Sequence, residues 1–86
     1  MDSNQTIKYP LATEKAVRLM ESENKLLFEI DLKAKKQEVR KAVEDLFKVK
    51  VLSVNTFITP HGKKRAYVRL SNETPAIEVA TQMGLM

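Results

Sequence analysis

Residues Lys48 to Leu70 read KVKVLSVNTFITPHGKKRAYVRL. This stretch predicts two β-strands joined by a tight turn. The first, Lys50 to Thr59, is rich in β-branched side chains: Val51, Val54, Thr56, Ile58 and Thr59. The second, Lys64 to Leu70, alternates apolar and polar. Between them Pro60-His61-Gly62 is turn chemistry, with proline ending the first strand and glycine free to take positive φ. Strand side chains point alternately to opposite faces. Ala66, Val68 and Leu70 therefore share one face, and Arg65, Tyr67 and Arg69 the other. In the first strand Leu52, Val54 and Ile58 are expected inward, with Ser53, Asn55 and Phe57 opposite. An open sheet surface carrying two aromatics among guanidiniums and amides can stack bases and pair phosphates. The plainer alternative is a solvated face on which Phe57 and Tyr67 pair only with each other.

The rest of the chain supplies cover for the other face. Thr13 predicts an N-cap, with Glu14 favourable to the dipole and a helix from about Glu14 to Glu21 that turns Ala16, Val17 and Met20 inward. Lys25 to Leu32 alternates as a strand, with Leu26, Phe28, Ile30 and Leu32 inward and Glu29 and Asp31 outward. From Lys36 to Lys48 the apolar residues Val39, Ala42, Val43, Leu46 and Phe47 recur at helical spacing, opposite Arg40–Glu44 and Lys41–Asp45 pairs. A last helix is expected after Thr74 and Pro75, burying Ala76, Val79, Ala80 and Met83 and closing at Gly84 with Leu85 packed back. Residues 1–6 are polar and expected to fray, with a short strand at Ile7 to Tyr9. The order is β-α-β-α-β-β-α, a single α+β domain of helices on a mainly antiparallel sheet.

Composition narrows the function classes. With 86 residues, 43% of them hydrophobic, the chain can fold as one small globule. It has no cysteine, which excludes disulfides, thiolate metal sites and cysteine nucleophiles. No apolar run approaches the ~20 residues of a membrane span, and the MDSNQT start has no apolar signal core, so a soluble intracellular protein is expected. The net charge of +4 is unevenly spread. Lys33 to Arg69 holds eleven basic residues against three acids, and the remainder four against eight. Such asymmetry points to one polyanion-binding side. Lys33, Lys36 and Arg40, less neutralised than their neighbours, fit its edge.

Catalytic chemistry is missing. The one histidine, His61, sits in a turn, and two glycines cannot build a phosphate loop. Gly62 to Arg65 is a poor match to the anion loop of an acylphosphatase. The sheet signature of an RNA recognition motif fits Lys63, Ala66, Tyr67 and Val68, but not Lys64, Arg65 or Leu70. A single-stranded RNA-binding module of that kind remains the alternative. No enzyme activity, cofactor or metal is expected.

Three ordered blocks carry a stronger signal: PLATEKA (Pro10 to Ala16), LLFEIDLKAKKQEVRKAVEDLFKVKVLSVNT (Leu26 to Thr56) and GKKRAYVRL (Gly62 to Leu70). With the helical tail they cover nearly the whole chain, which resembles the large-subunit ribosomal protein L twenty-three family in its archaeal and eukaryotic form. The resemblance implies a structural constituent of the large ribosomal subunit in the cytoplasm. It would bind large-subunit rRNA beside the polypeptide exit tunnel and contact the neighbouring ribosomal protein L twenty-nine. It would also help form a docking site for the signal recognition particle and for factors that meet the nascent chain. Carried onto this sequence, Asn55, Thr56, Lys63, Lys64, Arg65, Tyr67 and Arg69 would face RNA, joined by the stacking ring of Phe57. Lys8 and Lys15 would touch phosphates, and Glu14 corresponds to an exposed acid used for protein docking by bacterial relatives. The short turn from Pro60 to Lys63 departs from the long bacterial loop, and the absent basic arm favours an archaeal source. Lys35 stands where the family commonly has a capping Thr or Asn.

Overall fold

A computed structural model of the chain describes residues 6–11 and 13–82. The elements run β1 (Ile7–Pro10), α1 (Glu14–Glu23), β2 (Lys25–Ile30), α2 (Lys36–Phe47), β3 (Val51–Ile58), β4 (Lys64–Leu70) and α3 (Ala76–Gln82). The strands form one antiparallel sheet in the order β1-β2-β4-β3. The α+β class and the order of elements are those the sequence predicts.

Local chemistry sets the helix ends. Thr13 Oγ1 accepts the Ala16 N–H at 3.2 Å, so α1 begins where the cap predicts. It runs to Glu23, two residues past the expected end. Asn24 then closes it in the left-handed region, φ 56°, with its N–H on the Leu19 carbonyl. Lys35 precedes α2 with extended backbone and brings no side-chain acceptor; Glu38 Oε1 instead takes the Lys35 N–H at 3.2 Å. Lys48 ends α2, also left-handed at φ 54°. The Ala76 N–H, which a Thr74 cap would have served, goes to Asn24 Oδ1 at 2.6 Å. Met83, Gly84 and Leu85, assigned to the last helix and its cap, lie outside the described residues.

All three helices share one core with one sheet face. Leu26, Phe28 and Ile30 of β2 and Ala66, Val68 and Leu70 of β4 bury against Val39, Ala42 and Val43 of α2 and Val79 and Ala80 of α3. Phe28 and Phe47 stack at 5.9 Å. The Arg40–Glu44 pair forms at 3.9 Å; Lys41 and Asp45 make none among the described residues.

Four apolar residues expected inward are exposed. The β3–β4 register shifts between Val51, opposite Leu70, and Ser53, opposite Arg69. The resulting bulge buries Val51 completely and leaves Leu52 50% exposed, because one extra residue reverses the alternation. Ile58, opposite Lys64 at the hairpin end, is 64% exposed. Leu32 is exposed because β2 stops at Ile30: Asp31 accepts the Ala34 N–H through its carbonyl and the Lys33 N–H through Oδ1, an Asx-type turn. Leu46, on the margin of the α2 stripe, is exposed as well. Glu29, expected outward, lies on the outer face but is buried. At the start, Thr6 is buried and its carbonyl accepts the Asp31 N–H at 3.0 Å, so order reaches into the segment expected to fray. Residues 1–5 lie outside the described residues.

Candidate nucleic-acid interface

The sheet face away from the helices is organised in rows across the strands. Directly opposed residues share a face. One row is Tyr9, Glu29, Arg65 and Phe57, taken from β1, β2, β4 and β3 in turn. The next is Leu27, Tyr67 and Asn55, and the third is Lys25, Arg69 and Ser53. Five sequence-predicted residues therefore meet on this face: Asn55, Phe57, Arg65, Tyr67 and Arg69. Phe57 and Tyr67 stack diagonally, centroids 5.2 Å apart and planes 21° from parallel. The pairing that the plainer reading required is thus present, and it yields a half-buried aromatic ledge between Arg65, Asn55 and Arg69.

The hairpin turn frames one end. Gly62, φ 78°, donates its N–H to the Thr59 carbonyl, and the Thr59 N–H reaches the Lys63 carbonyl at 2.7 Å. Glycine is needed here for its backbone alone, since a Cβ on Gly62 would meet open space. Lys63 and Lys8 are exposed and flank a cleft of about 230 Å³ with Tyr9 and Glu29. The Tyr9 hydroxyl donates to Glu29 Oε2. That bond holds the Glu29 carboxyl below the ordinary carboxylate range despite burial, and the charges of Lys63, Arg65 and Lys8 reinforce it. The same bond raises the Tyr9 phenol above its ordinary value.

Other predicted residues lie elsewhere. Thr56 opposes Ala66 on the helix-facing side. Lys64 opposes Ile30 and Ile58 there, and its Nζ donates to the Ala34 carbonyl at 2.7 Å. Lys36 and Arg40 of α2 line a groove of about 140 Å³ with Ser53 and Val54, so that basic helix face meets the β3 edge. Lys15 and Glu14 are exposed on α1, with Glu14 Oε1 2.7 Å from an Arg18 Nη; Lys33 is exposed in the β2–α2 turn. None of these three joins the open face. Sequence reasoning missed Tyr9, Glu29 and Lys25 as members of it. Finding Glu29 and Lys25 required the β2–β4 pairing, which joins strands with a helix and a third strand between them in sequence, and finding Tyr9 required the β1–β2 pairing that sets it beside Glu29. Among the described residues no acidic or histidine cluster could hold a metal, and no helix is long and apolar enough to cross a membrane.

Comparison with known proteins gives a consistent answer. Residues 5–81 match the family model described as Ribosomal protein L23. The chain is 51% identical over 85 residues to the large ribosomal subunit protein uL23 of Methanococcus aeolicus, covering 99% of both chains. It is 46% identical to the protein of that name from Methanococcus maripaludis strain S2, and 44% to that of Methanococcus vannielii, again with 99% coverage of each chain. Agreement over nearly the whole length leaves neither the acylphosphatase nor the RNA-recognition-motif reading in place: the chain belongs to the ribosomal protein L23 family, whose members are structural proteins of the ribosome and not enzymes.

Proposed function

We propose that this chain is a structural constituent of the large subunit of the cytoplasmic ribosome, a single RNA-binding domain that holds large-subunit rRNA on its helix-free sheet face. The observation carrying this reading is the alignment of Arg65, Tyr67 and Arg69 beside Phe57 and Asn55 on one face. Arginine forks and exposed lysines suit the phosphates and shape of folded RNA, and the aromatic ledge suits an unpaired base. Lys8 and Lys63 extend the surface at the hairpin end, and Lys36 and Arg40 extend it around the β3 edge. Lys64 serves the RNA indirectly, by tying the start of β4 to Ala34 in the turn before α2.

The opposite side of the molecule is the helix layer, where Glu14 and Lys15 are exposed on α1. With RNA on the open face, this layer is turned outward for protein neighbours. That arrangement fits a position beside the exit tunnel, next to the L29 protein and open to the signal recognition particle and the nascent chain. The names of the Methanococcus relatives support the large-subunit assignment.

Co-sedimentation tests the reading. The tagged chain should travel with the large subunit through a sucrose gradient and survive a high-salt wash. The double variant Arg65→Ala/Arg69→Ala should bind rRNA more weakly and reduce the salt dependence, log Kd against log salt, by about two. Recovery of the wild-type chain only at the top of the gradient, or unchanged rRNA binding by the double variant at physiological salt, would defeat it.

A further inference from the structure

An acid lies in the middle of the basic face, and its surroundings give it a purpose. Glu29 is 4% exposed, between Tyr9 on β1 and Arg65 on β4. Its Oε2 accepts the Tyr9 hydroxyl, while Oε1 is buried without a hydrogen bond, 3.7 Å from Arg65 Nε. Arg65 Nε is likewise buried and unbonded, yet the Arg65 side chain as a whole remains 33% exposed. The guanidinium therefore has its Nε edge turned toward the carboxylate. Its two Nη groups, four N–H donors, make no hydrogen bond among the described residues. A carboxylate on a surface meant for phosphates repels them unless it does something that outweighs its charge. Locking an arginine fork in one orientation does so, since an arginine left free must lose its rotamer freedom on binding.

We propose that Tyr9 and Glu29 are positioning residues for RNA recognition: Tyr9 fixes the Glu29 carboxylate, and Glu29 holds Arg65 with its Nη edge presented beside Phe57 to an RNA phosphate or base edge. The inference rests on the reading of the open face as the rRNA surface. It assigns Tyr9 and Glu29 no RNA contact of their own. The depressed titration of Glu29 keeps the carboxylate ionised at neutral pH, as the role demands.

The two possible roles of Glu29 predict opposite signs. If it were only a negative charge on a basic face, Glu29→Gln would tighten RNA binding. As a positioning residue, its loss weakens binding, roughly three- to tenfold, the scale of immobilising one long side chain. The probe is deproteinised, refolded large-subunit rRNA from Methanococcus maripaludis, with affinity measured by filter binding at fixed salt. Circular dichroism and a urea midpoint for each variant confirm that it is folded at the assay temperature. Tyr9→Phe, which removes only the hydroxyl, should weaken binding in the same direction and serves if Glu29→Gln folds poorly. Glu21→Gln, an equal charge change on exposed α1, should not weaken it.

The decisive measurement is Glu29→Gln in an Arg65→Ala background. With no guanidinium to orient, the substitution should now tighten binding, a reversal that a merely structural role of Glu29 would not produce. Equal weakening in both backgrounds, or tightening by Glu29→Gln alone, overturns the inference while leaving the open-face reading intact. Wild-type affinity in Arg65→Ala itself overturns the role of Arg65 and the inference with it.

Discussion

Asn24 Oδ1 accepts the backbone N–H of Ala76 at 2.6 Å, across 52 residues of sequence. The same side chain offers its Nδ2 group to the carbonyls of Leu70, Ser71 and Thr74, each at 3.1 Å, and its own carbonyl accepts the Leu70 N–H. One left-handed residue thus ends α1, anchors the end of β4 and caps α3. Asparagine suits all three tasks, since it tolerates positive φ and carries both donors and an acceptor.

Replacing Asn24 should be expensive for its half-exposed position. Asn24→Ala loses the side-chain bonds and strains the left-handed backbone, a cost of about 2–4 kcal/mol in urea unfolding. Asn24→Gly keeps the backbone at ease and should cost about 1–2 kcal/mol. A smaller loss for alanine than for glycine would show that the backbone conformation is not limiting.

Lys48 occupies the same conformation with less justification, since among the described residues only its N–H is engaged, on the Glu44 carbonyl at 3.0 Å. Lys48→Gly should stabilise the fold by about 0.5–1 kcal/mol, as relief of strain outweighs the added freedom of the unfolded chain. A rise in the thermal midpoint checks this.

The bulge in β3 makes adjacent residues respond differently. Val51→Ala should cost about 2 kcal/mol, because Val51 is fully buried beneath the helices. Leu52→Ala, at a site half in solvent, should cost less than about 0.5 kcal/mol. Comparable costs would place the register shift elsewhere.

The Tyr9–Glu29 bond sets two pH limits. Glu29 has its folded pKa lowered, so the stability it adds is present above its unfolded value, near 4.5, and is lost as pH falls through the lower folded value. Tyr9 has its folded pKa raised above 10.0, so its share is present below that pH and is lost as pH rises through the folded value. Ultraviolet titration of the chain's two tyrosines should show one phenol ionising late, and Glu29→Gln should bring it earlier. Unchanged titration in Glu29→Gln would mean that the bond does not hold in solution.

Much of this architecture was legible in the sequence because the signals were local. Thr13 announces α1, the spacing of Val39, Ala42 and Val43 announces α2, and Pro60 to Gly62 announces the hairpin. Arg65, Tyr67 and Arg69 could be put on one face by alternation alone. Non-local geometry stayed hidden. Val51 and Leu52 exchange roles through a bulge that no residue type marks, and Ala76 takes its cap from a distant asparagine instead of Thr74. Glu29 looks like any outward acid until β4 brings Arg65 beside it and β1 brings Tyr9. The candidate site was thus readable along β4 and half of β3, and unreadable across β1 and β2.

The strand order has a bearing on how the molecule comes into being. Among the described residues β4 is the last strand made, yet it lies between β2 and β3 and supplies the only pairing that joins them. On a chain emerging from amino to carboxyl end, β1 and β2 can meet early around α1, while β3 has no strand to join until Lys64 to Leu70 follows it out. The hairpin must then fold back and slot β4 against β2, after which Asn24 can close on Ala76. The sheet is completed from its middle, so the rows of the open face come into existence together, in one late step.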